Sequence, residues 1–154
     1  MTTQDLINEF FAQKRFAIVG VSRKDNDFSR NLLREFLKRG YDAVPVNPHT
    51  PEIEGRQCFP DVREIKPAVT AALMLNPKYA SVAIVRECAE AGITLLWAFG
   101  ISGPKDLPAG VQAECEAHGI KLVPGYCPFM FMEHTHWFHR WHGKFEKFMG
   151  DYPS

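Results

Sequence analysis

The chain has no net charge, no long apolar run, no paired cysteines and no glycine-rich dinucleotide fingerprint. Eighteen Lys plus Arg balance eighteen Asp plus Glu, which excludes the strongly basic surface of a non-specific nucleic-acid binder. No apolar stretch approaches the ~20 residues that a bilayer-spanning helix requires, so no membrane partner is expected. Residues 1–11 carry Asp5 and Glu9 and lack a basic region followed by an apolar run, so no secretory leader is expected either. The four cysteines, Cys58, Cys88, Cys115 and Cys127, lie 30, 27 and 12 residues apart. That spacing fits neither a paired-ligand zinc site nor a dense disulfide framework, and reduced thiols in a cytoplasmic protein are the expectation.

What is present suits one globular domain: 154 residues, 45% of them hydrophobic, are enough to bury a core. Five short apolar runs, FAIVGV (16–21), DAVPVN (42–47), TAALML (70–75), TLLWAF (94–99) and IKLVP (120–124), alternate with helical patterns near 4–13, 28–39, 78–91, 108–118 and 134–149. Near-continuous apolar runs mark strands buried on both faces, and strand–helix alternation marks a parallel sheet. Gly40, Gly92 and Gly119 each follow a helical pattern and precede a strand, as helix-terminating glycines do. Together these features predict an α/β, Rossmann-like, doubly wound five-stranded parallel sheet with the order 3-2-1-4-5. The proline-rich 48–69 connection is expected to hold a small irregular subelement, and residues 134–154 an added C-terminal amphipathic helix.

The balanced charge is unevenly distributed. Residues 14–39 hold eight basic against three acidic residues, for +5. This segment contains the loop after the first strand, Gly20 to Asn31, which enters the second helix. In a doubly wound sheet a ligand lies outside the carboxyl ends of the strands where the winding reverses, here expected between the first and fourth strands. Helix N-terminal amides suit phosphate; Gly20 admits close backbone approach, Ser22 and Ser29 bring hydroxyls, and Arg23, Lys24 and Arg30 bring charge. A plain strand-end turn with solvated cations is the competing reading. The second strand ends Val46-Asn47-Pro48, without the carboxylate that holds a free ribose diol in NAD sites. A nucleotide with an extra phosphate is therefore favoured.

These features resemble the small stand-alone CoA-binding proteins related to the N-terminal CoA-binding domain of the succinyl-CoA synthetase alpha subunit. The resemblance covers roughly residues 10–130: FAIVGVS with its long basic loop, PVNP after the second strand, EIEGRQCFPDVREI, Asn76-Pro77 after the third strand, and GYCP around Cys127. It implies a Rossmann-like fold with coenzyme A over the carboxyl edge of the sheet. Gly20, Val21, Ser22, Arg23, Ser29 and Arg30 would then receive phosphates, and Asn47 and Pro48 would border the adenosine. Asn76, Pro77, Gly100 and Ile101 would line the pantetheine path. The resemblance departs in two respects, the charged loop in place of a glycine-rich one and the lack of the phosphohistidine-bearing second domain, so ligase chemistry is not expected. Cys127 is open to two readings: a thiol able to form a mixed disulfide with CoA, or, preferred, a half-buried small residue in a turn set by Pro128. Cys58, Cys88 and Cys115 read as packing residues.

The tail collects His134, His136, His139 and His142. At 100° per residue the apolar Trp137, Phe138, Trp141, Phe145, Phe148 and Met149 share one face, about 120° wide, with the imidazoles mainly beside it. No i, i+4 histidine pair exists, so an amphipathic helix docked on the domain, or joining a homodimer, is expected rather than a metal site. The expected function is a CoA or acyl-CoA binder without a complete catalytic set. The alternatives are an NAD(P)-dependent oxidoreductase and a nucleotide-sensing regulatory protein.

Overall fold

Alternating side chains of each central strand are apolar toward both faces, and the chain answers with helices on both. The computed structural model describes residues 2–75 and 81–132. The elements run α1 (Thr3–Phe11), β1 (Arg15–Val19), α2 (Phe28–Lys38), β2 (Asp42–Val46), β3 (Glu52–Ile53), β4 (Arg56–Gln57), β5 (Ala71–Met74), α3 (Ser81–Glu90), β6 (Leu95–Phe99), α4 (Val111–Ala117) and β7 (Lys121–Tyr126). Phe16 and Ile18 of β1 face Ile7 and Phe10 of α1 and Leu32, Leu33 and Phe36 of α2. Ala17 and Val19 face the opposite core, built with Val85 and Cys88 of α3 and Val111 and Cys115 of α4. The expected α/β, Rossmann-like, doubly wound sheet of five parallel strands is the fold observed.

The strand order differs from expectation. The sheet runs β2-β1-β5-β6-β7, so the third strand of the sheet in chain order lies beside the first and not beyond the second. The cause lies in the 47–70 connection, which holds no crossover helix. It folds into the β3–β4 hairpin and a 3-10 turn at Val62–Glu64, and its end covers the free edge of β2. Phe59 bridges Val46, its N–H donates to the Pro45 carbonyl (3.1 Å) and its carbonyl accepts from the Asn47 N–H (2.9 Å). Arg56 Nε reaches the Ala43 carbonyl at 3.1 Å. With that edge occupied, which also shields it from intermolecular pairing, β5 pairs with the open side of β1. The winding therefore reverses between β1 and β5, the other common doubly wound order, and not between the first and fourth strands.

The helix-ending glycines behave as their positions suggest. Gly40, Gly92 and Gly119 have φ of +89, +85 and +69, the left-handed conformation that closes a helix and that a Cβ disfavours. Among the described residues no helix is long and apolar enough to cross a membrane, and no group of three or more His, Cys, Asp or Glu is placed to hold a metal ion. The expected 134–149 helix, with its histidines, lies outside the described residues.

Candidate functional site

Parallel strands deliver all their carboxyl ends to one edge, so the loops after β1 and β2 meet there. They rim a cavity of about 600 Å³ whose lining includes Val19, Gly20, Val21, Ser22, Val46, Asn47, Pro48 and His49. Pro60 and Asp61, from the turn that covers β2, and Ile84 and Glu87 of α3 complete it. Five of the expected site residues, Gly20, Val21, Ser22, Asn47 and Pro48, thus come together in one cavity beside the switch point. Asn47 holds the two loops in register: its Nδ2 donates to the Val21 carbonyl (2.8 Å) and its Oδ1 accepts from the His49 N–H (2.7 Å). The Gly20 N–H donates to the Val46 carbonyl at 3.1 Å, so the rim is tied to β2 twice.

Behind this rim the basic loop is organised by its own side chains. Asp27 caps α2, accepting from the Ser29 N–H at 2.9 Å and the Ser29 hydroxyl at 2.7 Å. Ser29 Oγ in turn accepts from the Ser22 N–H at 2.8 Å. These bonds from Ser29 hold the Asp27 carboxyl below the usual carboxylate range. The start of α2 therefore already faces an anion, and buried Ser29 is a strut between helix and loop. Arg30, expected to meet a phosphate, has only 12% of its side chain exposed and is ion-paired with Glu54 at 2.5 Å. Its Nη1 also donates to the Arg23 carbonyl at 3.2 Å. Arg34 Nε reaches the same Glu54 oxygen at 2.9 Å, and Arg34 Nη2 pairs with Asp25. Two guanidiniums thus hold Glu54 below its ordinary pKa, Arg34 most strongly. Arg23 and Lys24, both exposed, have no ion-pair partner among the described residues.

The remaining expected residues are distributed along the same edge. Gly100, after β6, packs backbone to backbone on Gly125: a Cβ there would lie 2.6 Å from the Gly125 Cα. Ile101 is 57% exposed, and its N–H and that of Ser102 donate to one oxygen of Asp106, each at 2.8 Å. Cys127 starts the 3-10 turn Pro128–Phe131; it is half-buried, and burial pushes its thiol pKa up. None of these three residues lines the cavity, and Asn76 and Pro77 lie outside the described residues. On the same edge Phe28, the first residue of α2, packs against Phe99 and Phe129 at ring-centroid distances of 5.2 and 5.6 Å while remaining 42% exposed.

Sequence reasoning missed Asp61 and Glu87 in the cavity and Asp27 and Glu54 behind it. Two had a readable signal. Asp27 stands directly before an amphipathic helix, as an N-cap does. Glu87 lies three residues after Ile84, on one side of α3. Asp61 and Glu54 belong to the irregular 48–69 connection, where no periodicity points at a site.

The fold, with a cavity rimmed by the loops after β1 and β2, is that of a doubly wound, Rossmann-like α/β domain. Residues 14–133 match the CoA binding domain family, and the chain belongs to it. Among curated proteins, the ADP-forming acetate–CoA ligase of Methanocaldococcus jannaschii is 20% identical over 118 residues, spanning 74% of this chain and 17% of the ligase. A hypothetical protein from Pyrococcus horikoshii OT3 has a similar structure, with a TM-score of 0.72, 23% identity and coverage of 83% of this chain and 87% of that one. The dinucleotide-forming acetyl-coenzyme A synthetase 1 of Ca. Korarchaeum cryptofilum, solved with phosphate and ADP, superposes with a TM-score of 0.68 and 19% identity over 77% of this chain and 27% of its own. The chain therefore corresponds to a fraction of the length of the ligase and synthetase, and to most of the stand-alone protein.

Proposed function

We propose that this protein binds coenzyme A or an acyl-CoA at the carboxyl edge of its sheet and carries no ligase chemistry within the described residues. The observation that carries the reading is the cavity between the loops after β1 and β2, in a chain of the CoA binding domain family. Its size suits a nucleoside, since small-molecule sites commonly run ~300–1,000 Å³. The phosphates would face the exposed cations Arg23 and Lys24 and the N–H groups of the loop, whereas Arg30 acts indirectly, by fixing the loop from behind. The pantetheine arm would cross toward β6 and β7, where the partly exposed rings of Phe28, Phe99 and Phe129 offer an apolar track. The thiol end would then approach the neighbourhood of Cys127, whose raised pKa disfavours the thiolate needed for exchange.

Calorimetric titration with CoA and with its 3′-dephospho form tests this proposal. Binding that weakens on removal of the 3′-phosphate is expected. Absence of CoA binding, or affinity for NADH equal to that for CoA, overturns it.

A further inference from the structure

The cavity is electrically polar, and that polarity bears on which end of a nucleotide lies where. Its rim at Ser22 continues into the cationic loop Arg23-Lys24, while α3 and the turn that covers β2 bring two carboxyls, Glu87 and Asp61, to its lining. Asp61 is engaged: it caps the 3-10 turn and holds Arg63, with Oδ1 accepting from Arg63 Nε at 2.9 Å and Oδ2 from Nη2 at 2.5 Å. Arg63 is further bound to Glu90 at 2.6 Å, outside the cavity lining. Glu87 differs, because no hydrogen-bond partner meets its carboxyl among the described residues. It is half-buried on α3, one turn after Ile84, and both project into the cavity. Burial, then the neighbouring Asp61 and Glu90 charges, raise its pKa, with Arg63 opposing.

The half-buried Glu87 carboxyl lines the cavity with its lone pairs free to accept from a ligand N–H. A phosphate would be repelled there, and a carbonyl would face an acceptor. The apolar residues of the same lining, Val19, Val46, Pro48, Pro60 and Ile84, suit the faces of a flat ring.

We propose that Glu87 is the residue that selects the base of the bound nucleotide, accepting a hydrogen bond from an exocyclic amino group and thereby preferring adenine to a 6-oxopurine. The inference rests on the CoA reading and goes beyond it by naming what reads the base. It also orients the ligand: base amino edge toward α3, phosphates toward Arg23 and Lys24. Arg63 keeps Asp61 from competing for the same donor.

The test compares CoA with its deaminated analogue, in which hypoxanthine replaces adenine, by calorimetry on the full chain and two variants. Wild type is expected to prefer CoA by about tenfold or more, one charge-assisted bond's worth. Glu87→Gln presents a donor as well as an acceptor and should bring the two affinities within about threefold of each other, by the same measure. Glu87→Ala, which introduces no donor, should lose CoA affinity and leave the analogue's unchanged; thermal melts confirm that each variant is folded. Equal wild-type affinity for both ligands, or full preference retained in both variants, overturns the base-selecting role while the CoA reading stands. Failure of wild type to bind either ligand overturns both.

Discussion

Substituting Glu54 by Gln isolates what the arginine cluster contributes to the loop that rims the cavity. Glu54 occupies the first position of the two-residue turn between β3 and β4, with φ +52, followed by Gly55 at φ +71. That conformation favours Asn or Gly over Glu, so something other than turn propensity holds the residue there. Its carboxylate accepts from Arg30 Nε at 2.9 Å and Nη2 at 2.5 Å, tying the hairpin to α2. Glutamine keeps the shape and removes the charge. Exchanging charge-assisted bonds for neutral ones loses ~1 kcal/mol each, and with 19% of the Glu54 side chain exposed solvent screening trims the pair to about 1.5 kcal/mol. At ~2–4 °C per kcal/mol for a chain of this size, the melting temperature should fall by ~3–6 °C. The pH dependence supplies the sharper check. The folded-state pKa of Glu54 is lowered by Arg34 and Arg30, so its stabilisation is present above the unfolded value of ~4.3 and fades as pH falls through the folded value. Urea melts of wild type and Glu54→Gln should therefore differ fully at pH 7 and converge in acid. A difference that persists undiminished at pH 3, or none at pH 7, would refute the electrostatic account.

Other outcomes follow from the same geometry. Arg23→Ala should weaken CoA binding about tenfold, the loss of one phosphate contact, while leaving stability within ~0.5 kcal/mol because its side chain is exposed and unpaired; equal effects on both would misplace the loop. Gly125→Ala puts a Cβ into the Gly103 carbonyl at a φ of +74 and should cost ~2–4 kcal/mol in denaturant melts, an intact melt showing that the turns relax freely. The Cys88 and Cys115 thiols, pushed by burial up to about 12 and about 11, should stay silent toward a chromogenic disulfide reagent at neutral pH until the protein unfolds. Because those values are raised, the stability they report is complete below the ordinary thiol range and is lost as pH climbs through them.

Much of the architecture was legible because burial on both faces leaves a strong imprint on short strands: all five apolar runs became sheet strands, with boundaries moved by at most two residues. The order was not legible. Periodicity tells which faces are covered and says nothing about which edge is occupied, and it was Phe59, thirteen residues beyond Val46, that covered β2 and sent β5 to the far side of β1. The same limitation applied to the site. Gly20, Ser22 and Asn47 belong to strand ends, whose position in a parallel sheet follows from the fold. Asp61 and Glu87 reach the cavity from an irregular connection and a helix wall, so only the tertiary structure unites them with the loop.

Charge shows the difficulty most clearly. The +5 of residues 14–39 drew attention to the loop after β1 but overstated the charge free to meet a ligand, because a sum along the chain counts no partner from outside its window. Arg15 is answered by Asp42 at 3.0 Å, and Arg30 and Arg34 by Glu54, 24 and 20 residues away. Asp27 further places a negative charge at the helix start that appeared open to phosphate. What remains at the rim is Arg23 and Lys24. Two exposed cations and a set of loop amides can hold a nucleotide's phosphates only where the rest of the molecule is gripped elsewhere, since exposed ion pairs contribute ~0–1 kcal/mol each. On the proposed CoA reading, the affinity would therefore come largely from the cavity lined by Pro48, Pro60 and α3, where the base would be read.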